Sequence, residues 1–434
     1  MSLYPLIRPL LFRLDPEWIH RATLTAVGKA GRIPPVRGLL RGLLAVDDPR
    51  LRVEAGGLAF PNPVGLAAGF DKNGVAMEGL ASAGFGFVEV GSVSAHPSEG
   101  NPGRPRLFRV PEDDAIVVHY GVPNDGAEAV ARRFASARPW RSPGSPESPG
   151  SPGSPGPPGS PGSPGSLGQP SQPTPPTPPR PARPPVPLGI NLVETNTGRP
   201  AGAEEVVEEL VAAMRPFLGV ADYATLNLNC PNTTSGRSPF DEPGTLGTLL
   251  SGYADYDAMP PTFLKVVPTT DPATIEGTLS AMDPFHFVKG IVFGLPTGKP
   301  YEGLKTPPQV LDRMPGTLCG RPTRALSDAS IQAWYSRMDR GRHVIVGTGG
   351  IFNAEDVYRK IRLGATLVQV YTALVYHGPA LVKRINRGLC RLMTRDGLDR
   401  IADAVGVDNP HTNPNTNPPA NPRSARNPGG AVDA

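Results

Sequence analysis

The sequence predicts an α/β protein: a closed (β/α)8 barrel of the TIM type with a small N-terminal helical extension. Three observations carry that expectation. Eight short β-branched or apolar runs recur along the chain, longer segments able to hold a helix separate most of them, and polar residues cluster where the runs end. The runs are "VGLAA" (64–68), "FVEVGSV" (87–93), "LGINL" (188–192), "YATLNL" (223–228), "TFLKVV" (262–267), "GIVFG" (290–294), "HVIVGTGG" (343–350) and "LVQVY" (367–371). Near-continuous apolar strands alternating with helices are buried on both faces of a parallel sheet, and eight suit a closed barrel. A doubly wound open sheet is the alternative arrangement.

Ahead of the barrel, "MSLYPLIRPLLFRLDPEWIH" reads as helical. Leu3, Ile7, Leu10, Leu11 and Leu14 recur at helical spacing, and "DPEWIH" restarts a helix with Asp15 as cap and Pro16 in its first turn. Arg8, Arg13 and Asp15 interrupt the apolar stretch and no small-residue cleavage site follows, which argues against a signal peptide. Two readings stay open for these helices: packing on the main domain, or lying on a membrane surface. Residues 1–50 hold eight basic and four acidic groups, so this segment carries the whole formal charge of +4.

The expected organisation is N-terminal amphipathic helices (1–45), a first part of the barrel (46–141), an insertion (142–185), the barrel remainder (186–407) and a tail (408–434). The insertion is rich in Pro, Gly and Ser, with glycine at every third place from Gly150 to Gly168; seven such triplets are few for a collagen helix. It reads as an extended, disordered surface loop, and the Asn- and Pro-rich tail reads likewise.

The 434 residues are 38% hydrophobic, enough for a large globular core. Three cysteines without CxxC spacing give no disulfide framework or zinc site and suit a reducing compartment. The charge is too weakly basic for a general nucleic-acid binder, and no apolar run is long enough to span a bilayer.

Chemistry in a barrel sits at the C-terminal ends of the strands. There the sequence places Lys72 in "AAGFDKNG", then Asn191, Asn227, Cys230, Lys265, "GTGG" and "YTA". Gly349 and Gly350, with Tyr371 and Thr372, suit a phosphate in the loops after strands seven and eight, where backbone N–H groups can approach an anion. No Walker A or dinucleotide fingerprint competes with this site. Lys72 and Lys265 suggest an anionic substrate, or a cofactor that gains negative charge; an ion pair with a carboxylate is the plainer reading of Lys265. Cys230, in "NLNCPNT", is either a reactive thiol or a small buried residue in a polar turn.

At these residues the chain resembles dihydroorotate dehydrogenase, especially its quinone-dependent, membrane-associated class. The resemblance spans residue 3 to about residue 390, the insertion excepted. Its blocks are "YPLIRPLLFRLDPEWIH", "FPNPVGLAAGFDKNG", "FGFVEVGSVSAHPSEGNPGRPRLFR", "GINL", "NLNCPNT", "CGRP", "VGTGGI" and "GATLVQVYTALVYHGP", in order. It implies oxidation of dihydroorotate to orotate in pyrimidine biosynthesis, FMN at the barrel mouth, a quinone acceptor, and a peripheral position on the cytoplasmic side of the cell membrane. Carried over, Ala68, Gly69, Ser92, Asn191, Asn227, Lys265, Gly320, Gly349, Gly350, Tyr371 and Thr372 would hold FMN. Lys72, Asn227 and Asn232 would contact substrate, and Cys230 takes the position of the catalytic base, where the quinone class has Ser and the soluble class Cys. Proximity to Lys72 would favour its thiolate.

The chain departs from the family in three places. The loop Asn-Arg-Met-Gly-Phe-Asn-Asn is here "VHYGVPN", from Val118 to Asn124; Thr-Asn on strand six becomes Gly294 and Leu295; Gly-Lys after strand three becomes Val193 and Glu194. His119 and Tyr120 are candidate replacement donors to substrate. A flavin enzyme acting on another cyclic substrate and a non-catalytic barrel scaffold are the alternatives these changes leave.

Overall fold

A computed structural model describes residues 4–137, 186–199, 201–231, 238–241, 243–256 and 258–410. Asn232, the insertion at 142–185 and residues 411–434 of the tail lie outside the described residues.

Three helices lead the chain: α1 (Tyr4–Leu11), α2 (Pro16–Gly31) and α3 (Pro34–Leu44). Asp15 caps α2, its carboxylate accepting the Trp18 N–H at 2.7 Å and so satisfying a donor that has no partner inside the helix. The Tyr4 hydroxyl, which donates to the Val375 carbonyl at 2.6 Å, ties α1 to the far end of the chain.

Thirteen strands follow among the described residues. They are β1 (Val53–Ala55), β2 (Leu58–Phe60), β3 (Val64–Leu66), β4 (Phe87–Val93), β5 (Leu107–Val110), β6 (Ala115–Val118) and β7 (Leu188–Leu192), then β8 (Tyr223–Asn227), β9 (Thr262–Val266), β10 (Val288–Phe293), β11 (Thr317–Gly320), β12 (Val344–Thr348) and β13 (Leu367–Val370). The eight expected runs become β3, β4, β7, β8, β9, β10, β12 and β13, which close into one parallel barrel in that order. The open-sheet alternative is therefore excluded.

Two elements were not expected. β1 and β2 form an antiparallel hairpin, and β5, β6 and β11 form a separate antiparallel sheet beside the barrel mouth. That sheet pairs Thr317 with Val118 across some two hundred residues, a relation no local pattern encodes.

Alternate residues of a strand share a face, and in a barrel one face is the interior. At its base Phe87, Tyr223 and Phe263 meet edge to face, with ring centroids 6.2 and 5.7 Å apart. Gly65 and Gly189 make room for them: a Cβ there would fall 2.3 Å from the Phe87 ring and 2.0 Å from the Tyr223 ring. Two residues further along come Glu89 on β4, Asn191 on β7 and Thr225 on β8, all fully buried. Two more reach Asn227 and, on β9, Lys265, paired in register at the mouth. The same period of two that buries the base thus delivers polar groups to the top.

Candidate active site

The strand ends and the small sheet surround a cavity of about 1280 Å³, its solvent-open mouth included. From the barrel loops it is lined by Ala68, Gly69, Lys72, Ser92, Asn227, Cys230 and Lys265, and further round by Gly349, Gly350, Tyr371 and Thr372. The small sheet adds Tyr120 and Gly320. Of the remaining residues expected there, Asn191 stands behind the wall and His119 does not line it.

Asn191 is fully buried; its Nδ2 donates to Glu89 Oε1 at 2.8 Å and its Oδ1 accepts from the Ser92 hydroxyl. Asn191 reaches the cavity only through Ser92. His119 turns the other way, with Asn101 Nδ2 3.2 Å from its Nε2. Burial first, then Arg106 and Lys299, lowers the His119 pKa and favours the neutral ring.

Lys72 and Lys265 bring two cations to the cavity. Lys72 Nζ donates to the Gly69 carbonyl at 2.9 Å and lies 4.0 Å from the centre of the Tyr120 ring. Burial, then the nearby Arg106, pulls its pKa down to about 8, against the smaller opposing pull of the Asp71 and Glu17 carboxylates. Lys265 has no side-chain hydrogen bond or ion pair among the described residues, so a carboxylate partner does not explain it. Asn227 donates from Nδ2 to Ser92 Oγ at 3.3 Å, while its buried Oδ1 has no partner among the described residues. Cys230, partly buried and not disulfide-bonded, stands on the same cavity wall as Asn227 and Asn229.

Gly349 and Gly350 hold φ of 84° and 67°, in the left-handed region that side chains other than glycine rarely enter. A Cβ on Gly350 would also collide with Arg324. These glycines make room for the neighbouring Arg324 and Thr323 and line the cavity with their backbone. Cys319, on the cavity's other side, is a different kind of thiol: burial pushes its pKa up to about 12, which argues against reactivity.

Sequence reasoning passed over several residues that the fold brings to the cavity's surroundings. Glu17 and His20 come from α2. The Glu17 carboxylate binds the Arg106 guanidinium at 3.1 Å and its backbone N–H at 2.9 Å, and Arg106 in turn faces the Tyr120 ring at 5.3 Å. His20 Nε2 is 2.8 Å from the Phe70 carbonyl, and Phe70 meets Tyr371 edge to face. Burial, with Lys72 nearby, holds the His20 pKa at about 4, so its ring is neutral at pH 7. Glu89 and Gln369 were also missed, although a signal existed: Glu89 is the one charged residue of "FVEVGSV" and Gln369 the one amide of "LVQVY", both otherwise largely apolar runs.

The fold and the cavity agree with what comparison with known proteins finds. The family model described as "Dihydroorotate dehydrogenase" matches residues 50–393. A protein of Roseiflexus sp. named "Dihydroorotate dehydrogenase (quinone)" is 36% identical over 413 residues, covering 94% of this chain and 98% of its own. One of the same name from Deinococcus deserti is 35% identical, with 93% and 98% covered. The crystal structure of ligand-free DHODH from Eimeria tenella superposes with a TM-score of 0.70 at 26% identity, over 91% of this chain and 99% of that one. The match runs from the first strands through the last barrel helix and takes in every wall of the cavity, so the chain belongs to the dihydroorotate dehydrogenase family, whose members are FMN-dependent oxidoreductases.

Proposed function

We propose that this protein oxidises (S)-dihydroorotate to orotate with FMN as cofactor and a quinone as electron acceptor, in the de novo synthesis of pyrimidine nucleotides. The observation that carries the reading is the convergence of Cys230, Asn227, Lys72 and Lys265 on one cavity. Its features suit FMN: the Lys265 ammonium and the Asn227 Oδ1, neither with a partner among the described residues, and the Gly349–Gly350 backbone that lines the cavity beside Tyr371 and Thr372. FMN, when bound, supplies the acceptor for the hydride that leaves the substrate ring. Ala68, Gly69, Ser92, Lys265, Gly320, Gly349, Gly350, Tyr371 and Thr372 would hold it, with Asn191 acting through Ser92.

In this reading the Cys230 thiolate removes the ring C–H proton and Lys72 pairs with the substrate carboxylate. Asn227 and Asn232 would orient the ring, and Tyr120 fixes Lys72 through its π face. A carboxylate beside Lys72 replaces some of the solvation that burial removes and favours the ammonium form. The two electrons then pass to the quinone, which takes up two protons to become the quinol.

The three leading helices supply the approach for a lipid-soluble acceptor. Leu6, Leu10, Trp18, Leu39 and Leu43 are each more than half exposed on them, among arginines that suit anionic headgroups. No helix among the described residues is long and apolar enough to cross a membrane. A peripheral position on the cytoplasmic side of the cell membrane is part of the same proposal.

One observation favours a second reading, oxidation of a different cyclic substrate. Val118, Val122, Gly294, Leu295 and Pro296 make one stretch of the cavity wall apolar, where a ring with polar edges would leave groups unpaired.

Anaerobic addition of dihydroorotate to the FMN-loaded protein tests the choice. Bleaching of the oxidised flavin spectrum is expected; its persistence at saturating substrate would favour the second reading. Cys230→Ala should retain FMN and slow that bleaching by roughly 10²–10⁴-fold, the usual contribution of a general base, and unchanged bleaching would remove Cys230 from the role.

A further inference from the structure

Glu89 is fully buried inside the barrel and has no ion-pair partner among the described residues. Four donors surround it instead. Oε1 accepts from Asn191 Nδ2 at 2.8 Å; Oε2 accepts from Gln369 Nε2 at 2.7 Å, from Thr225 Oγ1 at 3.1 Å and, more distantly, from the Tyr223 hydroxyl at 3.5 Å. At both carboxylate oxygens the amides present their NH2 groups, Asn191 through Nδ2 and Gln369 through Nε2.

That orientation propagates. With Nδ2 on Glu89, Asn191 presents Oδ1 to Ser92, and the Ser92 hydroxyl donates to it. Ser92, having donated its one proton, can only accept from Asn227 Nδ2. Asn227 is thereby left with Oδ1 as its outstanding group, and Gln369, tied to Glu89 through Nε2, is left with Oε1. Both oxygens are buried without a partner among the described residues, and both residues line the cavity. Two orphaned acceptors at the end of two relays from one carboxylate have a common cause.

We infer that Glu89 is a positioning residue that orients Asn227 and Gln369 so that both offer acceptors to ring N–H groups of a bound heterocycle. The inference rests on the reading of the cavity as a flavin and dihydropyrimidine site, because either molecule can supply such a donor: the flavin imide or the substrate ring. Reversing either amide would set N–H against N–H in a buried setting, an unmade bond that low dielectric makes costly.

Glu89→Gln in the full chain tests it, since the new amide offers a donor where only an acceptor stood. Binding is read by fluorescence for FMN and for N3-methyl-FMN, which lacks the imide N–H, and by flavin absorbance for orotate on the FMN-loaded protein; thermal melting is followed in parallel. If the flavin is the donor, the wild type should prefer FMN to the methylated analogue by tenfold or more, and the variant should lose that preference. If the substrate ring is the donor, orotate affinity should fall at least tenfold with FMN affinity unchanged. Either result supports the inference. Affinities for FMN and orotate within twofold of wild type, with the FMN preference unaltered, would overturn it, whatever the melting temperature does. Should Glu89→Gln fail to fold, the exchange E89Q/Q369E carries the test. It keeps one carboxylate and one amide in contact and again leaves acceptors toward Asn191 and the cavity. Wild-type affinities in the exchanged protein support the relay, and a tenfold loss of both would overturn it.

Discussion

The Lys72 ammonium lies 4.0 Å from the centre of the Tyr120 ring, and the Arg106 guanidinium lies 5.3 Å from the same ring. Two cations thus share one aromatic residue, and, among the described residues, only Arg106 of the two is ion-paired with a carboxylate, Glu17. The arrangement leaves Lys72 as the cation available to a ligand.

Lys72 has a pKa pulled down to about 8, so it is charged below that pH and neutral above it. Affinity of the FMN-loaded protein for orotate, titrated by flavin absorbance, should be full below pH 8 and fall toward tenfold per unit as pH rises through and beyond that value. Lys72→Met should weaken binding at pH 7 by roughly 10- to 100-fold, the scale of a lost charge-assisted hydrogen bond, and abolish that alkaline loss.

Lys265 faces the cavity without a side-chain hydrogen-bond or ion-pair partner among the described residues. Lys265→Met should therefore weaken FMN binding by about 1.5–3 kcal/mol, measured by fluorescence titration, without lowering the melting temperature of the apoprotein. A matched fall in melting temperature would mean that the lysine serves the fold.

Glu17 is 3% exposed and joins α2 to Arg106. Burial pushes its carboxyl upward, but the hydrogen bonds from Arg106 outweigh that and hold it below the ordinary 4.5. A depressed carboxylate contributes stability above the unfolded value and loses it as pH falls through the folded one. Glu17→Gln should destabilise the protein by roughly 3 kcal/mol at pH 7 because Arg106 is left buried and uncompensated. In melts across pH, the gap to wild type should narrow below about 4.5.

Leu6 and Leu10 on α1 are 77% and 64% exposed, while Tyr4 and Arg8 tether the same helix to the Val375 and Tyr376 carbonyls. The double substitution L6E/L10E should leave folding and flavin bleaching by dihydroorotate intact. Co-sedimentation with anionic lipid vesicles should fall several-fold, and turnover with a long-chain quinone in those vesicles should fall with it.

Much of this protein was open to reading along the chain. Each barrel strand announced itself by a local apolar run, because a strand buried on both faces is apolar over most of its length. Asp15 and Pro16 marked the start of α2 because a helix leaves N–H groups that a nearby carboxylate can satisfy. The residues at the strand ends, Lys72, Asn227, Cys230, Lys265 and Gly350, were recognisable because their chemistry does not belong in such strands, and the barrel gathers strand ends at one mouth.

What the tertiary structure alone decided is which of those groups meet. Asn191 and Asn227 look equivalent in "GINL" and "TLNL", yet one is sealed behind Ser92 and the other lines the cavity. His119 and Tyr120 are neighbours just past the end of β6, and the chain there turns the first toward Asn101 and the second into the wall. Glu89 and Gln369 stand 280 residues apart, and only closure of the sheet brings β4 and β13 near enough for a carboxylate to turn an amide. Within one strand, alternation sets the face of a side chain; its partner across the barrel depends on register and closure, which arise from all eight strands together.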